Sequence, residues 1–210
     1  MGLALWTNNR CSWLLHMCRR QYLSRTVFSR SKRIRERDGT ELGIVGGRGK
    51  IQALHSSSAL ACNWFDYWRG RNLEPLSRAF AVPARFSTLE FEQEFPTRLG
   101  GIGPNLDVLL RGDGATLAIE SKFTEPYTTS KTKTLLKSKY FPDKEGLWTE
   151  VGLPGCQVVA EMLRTGQHKF NVLDVAQLLK HMLALSRKFG TSYSLCCLWF
   201  EVPGALATQH

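Results

Sequence analysis

The chain lacks several things, and each absence removes a class of function. No apolar run among its 210 residues approaches the roughly 18 that a membrane-crossing helix needs, so a membrane protein is not expected. The six cysteines, Cys11, Cys18, Cys62, Cys156, Cys196 and Cys197, include no C-x-x-C pair, and no histidine spacing suggests zinc. Free thiols in a reducing compartment are the expectation, and the adjacent Cys196 and Cys197 inside an apolar run read as core. Gly46-Gly47-Arg48-Gly49-Lys50 lacks the spacing and the Ser or Thr after the lysine that a phosphate-binding loop requires. It reads as a flexible joint. Acidic residues are missing altogether from residues 1–35, where eight lysines and arginines supply most of the net charge of +10.

That distribution shapes what the charge can mean. Excess Lys and Arg favours polyanionic partners through counterion release, but most of the excess here belongs to the N-terminal arm. Residues 1–50 read as a basic extension with a Gly-rich linker, and 51–210 as the folded domain. The run Arg19-Arg20-Gln21-Tyr22-Leu23-Ser24-Arg25 also resembles an organellar transit peptide, the alternative to a cytoplasmic protein with a basic arm. A second basic cluster, Lys131, Lys133, Lys137, Lys139 and Lys144, lies within the domain.

Hydrophobic content of 43% permits a sizeable core, and its pattern sets out the elements. Ser56-Ser57-Ser58 before Ala59-Leu60-Ala61-Cys62 predicts a capped helix over 56–69 that stops at Gly70. From Ser87 to Phe95 the period is two, with Glu90, Glu92 and Glu94 on one side. Two more strands, 105–110 and 116–123, flank the hairpin signal Gly112-Asp113-Gly114. Residues 124–150 read as irregular. A helix over 156–164 ends at Gly166, and Asn171 is the expected cap of a longer helix, with Asp174 in its first turn. Val175, Leu178, Leu179, Met182, Leu185 and Phe189 form its apolar stripe, which leaves Gln177, Lys180, His181 and Lys188 on the other side. A last apolar strand, 193–202, is predicted to be central. The order predicts an α/β fold with a mixed central sheet flanked by helices.

Glu120 and Lys122 are two apart in a strand and share a face, and the hairpin folds the strand of Asp107 back beside them. Two carboxylates and an ammonium are costly to leave unpaired among Leu, Ile and Val. Carboxylates converging on one point suit Mg²⁺, which neutralises charge on a phosphodiester and acidifies a bound water. The ammonium can then orient that water or stabilise the anionic transition state. Burial of Asp107 beside Glu120 is the condition this reading must meet.

Pro104-Asn105-Leu106-Asp107, followed after the hairpin by Glu120-Ser121-Lys122, resembles the PD-(D/E)xK motif of restriction-endonuclease-like proteins. The stretch 103–127, the helix around Gln177-Leu178-Leu179-Lys180-His181 and the strand into Val202-Pro203-Gly204 resemble an uncharacterised bacterial branch of that superfamily, over roughly residues 50–205. The resemblance implies an αβββαβ core, Mg²⁺ or Mn²⁺ held by Asp107 and Glu120, and hydrolysis of DNA phosphodiesters. It gives catalytic roles to Asp107, Glu120, Lys122 and Gln177. Gln177 and Lys180 resemble a secondary motif of the branch that touches the scissile phosphate or positions Lys122. Many such nucleases form homodimers to cut both strands. Members of the branch continue with helical sequence past the position of Gly204, so the chain reads as truncated.

Glu92, Glu94 and Asp66 are accessory metal candidates, for which a solvated surface is the favoured reading. Lys131, Lys133, Lys137 and Lys139, interleaved with Tyr140, Phe141 and Trp148, together with Lys180, are candidate nucleic-acid contacts; a solvated loop competes with them. Two other functional classes remain open: a nuclease-like domain that binds nucleic acid without cutting, and a structural or interaction domain.

Overall fold

The computed structural model describes residues 2–7, 10–12, 56–123, 136–143, 146–168, 170 and 173–199. Six strands form one mixed sheet: β1 (Gly2–Thr7), β2 (Arg10–Ser12), β3 (Thr88–Glu94), β4 (Asn105–Gly112), β5 (Ala115–Lys122) and β6 (Tyr193–Trp199), in the order β2-β1-β6-β5-β4-β3. Only β5 and β6 run parallel, which demands a long crossover, and the helical stretch between them supplies it. The β6-β5-β4-β3 part follows β3 to β5 as a meander, as predicted. Strand β1 of the basic extension pairs with β6, and β2 pairs with β1 outside it, so β6 lies in the interior of the sheet.

Turn chemistry explains the meander. Asp113 and Gly114 both adopt positive φ (45° and 74°), the geometry of a tight two-residue hairpin, and so register Gly112 opposite Ala115 and Val108 opposite Ile119. One departure interrupts β3. Glu92 sits at φ 50°, and the Phe91–Val108 and Gln93–Leu106 pairings flank it. This local twist turns Glu92 inward, to 4% exposure, and overturns the expectation of a solvated row of glutamates. Glu94 remains exposed and accepts the Gly103 N–H at 2.8 Å.

Two apolar layers cover the sheet. Helix α1 (Ser57–Phe65), followed by a short 3-10 turn (Asp66–Trp68) and α2 (Glu74–Ala79), packs Ala61, Cys62, Phe65 and Leu76 against Phe91, Val108, Leu117 and Ile119. Ser56 caps α1 as predicted, its hydroxyl accepting the Ala59 N–H at 3.2 Å. On the opposite face lie α3 (Leu147–Glu150), α4 (Pro154–Thr165) and α5 (Val175–Phe189), over Leu109, Ala118 and Leu195. Helix α5 begins at Val175 with Asp174 as its cap, accepting the Gln177 N–H at 2.9 Å; the expected cap Asn171 lies outside the described residues. Alternation along β5 thus turns Leu117 and Ile119 toward α1 and Ala118, Glu120 and Lys122 toward α5.

Candidate functional site

Where β4 and β5 reach the end of their ladder, the Asp107 side chain continues it. Its Oδ2 accepts the Ser121 N–H at 2.6 Å, and its Oδ1 accepts the Ser58 hydroxyl of α1 at 3.1 Å. Asp107 is 9% exposed and Glu120 3%, so two carboxylates are buried on neighbouring strands. Glu120 Oε1 accepts from Lys122 Nζ at 2.7 Å and from Gln177 Nε2 at 2.8 Å. Gln177 closes the ring, because its own Oε1 accepts from Lys122 Nζ at 2.7 Å. The amide therefore sees both charges with the matching end of its dipole, and the three side chains fix one another.

The two acids respond to burial in opposite ways. Burial, and then the charge of Glu120, push the Asp107 carboxyl well above its ordinary value, against the Ser121 N–H and the Lys122 ammonium. For Glu120 burial also pushes upward, but Lys122 and then His181 prevail and hold it near about 2. One ammonium cannot compensate two buried carboxylates, so Glu120 keeps its charge and Asp107 favours its proton.

His181, which lies off the apolar stripe of α5 and reads from the sequence as a surface or half-buried histidine, is 1% exposed, with Nε2 3.2 Å from Glu120 Oε2. The two atoms are within ion-pair distance, and the imidazole helps hold the Glu120 charge. Two buried carboxylates on neighbouring strands fit a hard divalent cation that keeps part of its water shell. Among the described residues no three His, Cys, Asp or Glu are gathered as a complete ligand set. The donors available are therefore the two carboxylates, the number Mg²⁺ takes when phosphate and water supply the rest.

The remaining candidates separate. Glu92 accepts from Asn105 Nδ2 at 2.5 Å and acts electrostatically on Asp107, which places it at the margin of the cluster. Asp66 forms a surface ion pair with Arg69 at 3.4 Å. Lys180 is half-buried; burial pushes its ammonium down, Asp174 opposes this, and the nearby Lys137 and Lys139 add to it, so these three cations share one region. Lys139 Nζ also donates to Gly100 O at 2.6 Å. Lys131, Lys133 and Lys144 lie outside the described residues. Of the aromatics interleaved with these lysines, Tyr140 and Trp148 are buried and stacked at 6.0 Å, Trp148 Nε1 donates to Leu179 O, Phe141 is half-buried, and Lys139 Nζ lies 5.7 Å from the centre of the Tyr140 ring.

Sequence reasoning missed Ser58 and the burial of His181. His181 stands four residues after Gln177, one helical turn, so it shares the face that meets Glu120; that spacing was a usable signal. Nothing local marked Ser58, because its contact with Asp107 spans 49 residues.

The family model described as "Restriction Endonuclease associating with ARP" covers residues 7–201 of this chain. No curated protein and no solved structure gives a match.

Proposed function

We propose that this chain, which belongs to the family of restriction endonucleases associating with ARP, is a metal-dependent nuclease of the PD-(D/E)xK type acting on DNA phosphodiester bonds. The observation that carries the reading is the junction of the buried carboxylates Asp107 and Glu120 with the half-buried Lys122 and Gln177 at the end of the β4–β5 ladder. Buried charge of this kind costs several kcal/mol to maintain for structure alone, on the order of what its removal by apolar residues can recover. Asp107 and Glu120 would hold the ion, Mg²⁺ or Mn²⁺, which when bound supplies charge neutralisation and a more acidic water.

The chain's own groups do the rest. Ser58 and the Ser121 N–H aim the Asp107 carboxylate. Gln177 and Glu120 orient the Lys122 ammonium, the cation best placed to meet negative charge developing on a phosphate. Lys137, Lys139 and Lys180, which share one region, would meet neighbouring phosphates of the strand. A pair of copies would be needed for concerted cutting of both strands. The buried thiols of Cys62 and Cys196 suit a reducing, cytoplasmic setting. Among the described residues no helix is long and apolar enough to cross a membrane.

A second reading, a domain that binds nucleic acid without cutting it, draws on one observation: both Asp107 oxygens already accept hydrogen bonds from the protein. Plasmid DNA incubated with Mg²⁺ or Mn²⁺, beside EDTA and the Glu120→Ala and Lys122→Ala variants, separates the two. Metal-dependent nicking that both variants lose supports the nuclease. Retention of plasmid without nicking by the folded wild-type protein supports the second reading.

A further inference from the structure

Helix α5 meets Glu120 at two successive turns. Gln177 Nε2 donates to Oε1 at 2.8 Å, and His181, one turn further along the same face, brings Nε2 to 3.2 Å from Oε2. The two oxygens are not equally engaged. Lys122 Nζ also donates to Oε1, at 2.7 Å, so the two lone-pair positions of that oxygen are both used. Oε2 meets His181 on one side and keeps its second position among the described residues. Glu120 therefore has one oxygen saturated by the protein and one that is not.

The imidazole supplies something that Lys122 does not. The last side-chain torsion of a glutamate is broad, so a carboxylate held at one oxygen alone can still turn. Lys122 and Gln177 both act on Oε1; His181 acts on Oε2 and so fixes the plane of the group. The ring is itself held fast. It is 1% exposed, and its helix neighbours Leu178, Met182 and Leu185 are buried, so packing sets where Nε2 lies.

We propose that His181 is a positioning residue for the divalent ion: it fixes the plane of the Glu120 carboxylate and so presents Oε2, the oxygen the protein leaves unsaturated, for metal capture beside Asp107. The proposal rests on the metal-dependent reading of the cluster. Without the imidazole Glu120 stays tied to Lys122 and Gln177 through Oε1, but Oε2 is no longer fixed relative to Asp107. A hard ion that takes only two carboxylates from the protein is sensitive to the placing of each.

The test is titration calorimetry of the full chain with Mn²⁺ alone, so that the readout is affinity and not cleavage. His181→Leu fills the volume without a donor and is expected to weaken Mn²⁺ binding about ten- to hundred-fold. His181→Gln, whose amide nitrogen reaches about as far as Nε2, is expected to keep most of the affinity. His181→Asn, whose amide stops short of Oε2, repeats the loss with a polar side chain should His181→Leu fail to fold. Ser186→Ala is the control for packing: it removes a buried contact of the same helix, the 2.8 Å pair with the Tyr193 hydroxyl, and is expected to lower the melting temperature but not the affinity. Wild-type affinity in both His181→Leu and His181→Asn, loss in His181→Gln equal to theirs, or equal loss in Ser186→Ala would overturn the proposal and leave the metal-dependent reading standing. A folded wild-type protein that binds no Mn²⁺ would overturn both.

Discussion

Asp107 and Glu120 are neighbours whose charges cannot both be accommodated, and this makes their effect on stability depend on pH in opposite senses. The folded Asp107 carboxyl lies above its unfolded value. Its contribution is therefore complete below the ordinary carboxylate range of about 4 and is lost as pH rises through the folded value. Asp107→Asn keeps an acceptor for the Ser121 N–H, turns an amide N–H₂ toward the Ser58 hydroxyl, which can accept from it, and removes the charge. In EDTA at neutral pH this variant is expected to be more stable than wild type, by on the order of 1 kcal/mol. The difference should close below about pH 4. With Mg²⁺ the order reverses, since wild type gains stability from the ion and the variant does not. Glu120 is the opposite case: its folded value near about 2 means stability present above its unfolded 4.5 and lost as pH falls toward 2. Glu120→Gln strands the Lys122 ammonium and is expected to cost about 3 kcal/mol at neutral pH. Thermal melts across pH, with and without Mg²⁺, read all of this. An Asp107→Asn protein less stable than wild type in EDTA would contradict the account of the crowded carboxylates.

At the scale of elements, the site depends on where β4 starts and on how α5 begins. Gly103 precedes β4 so closely against β3 that a Cβ would meet the Phe95 carbonyl backbone, which cannot swing aside as a side chain can. Gly103→Ala is expected to cost about 1–3 kcal/mol by displacing the strand that carries Asp107, and plasmid nicking should fall with it. Gly155, in the first turn of α4 with nothing within 4 Å of its added Cβ, is the control. There the same change is expected to stabilise by about 0.5–1 kcal/mol. Chemical denaturation of the two variants checks the opposite signs. These elements also show what a sequence reveals. The hairpin at 112–114 was legible because its turn residues and flanking alternation are local, and they suffice to bring Asp107 beside Glu120. The inward turn of Glu92 was not legible, because alternation assumes a regular strand and a single positive φ breaks it. The burial of His181 was hidden for a related reason. Its place off the apolar stripe left surface and half-buried readings open, and a buried partner, Glu120, decides for full burial.

For the whole molecule, the decisive feature is the antiparallel pairing of β1 along β6, from Gly2 opposite Trp199 to Thr7 opposite Ser194. Composition pointed to an extension apart from the fold, because six residues of strand carry little signal inside an acid-free arm. Pairing partners nearly 200 positions away are invisible to local pattern. The consequence concerns β6, whose Leu195, Cys196, Cys197 and Leu198 are all nearly inaccessible and carry no charge. A strand of that composition at the border of a sheet offers unpaired N–H and C=O groups to any other chain, without the charges or proline that natural edges use as protection. Removal of residues 1–12 would convert β6 from an interior strand to such an edge while leaving Asp107, Glu120, Lys122 and Gln177 in place. The truncated protein is therefore expected to retain the β3–β5 meander and any metal-dependent nicking at low concentration, but to associate as concentration rises and to unfold at a lower temperature. Light scattering over a concentration series measures the association directly. Replacement of Cys196 by Lys would not test the same point, since that side chain faces a packed layer. A truncated chain that stays monomeric with unchanged melting would mean that β1 contributes nothing to the sheet, and that the folded unit begins with α1.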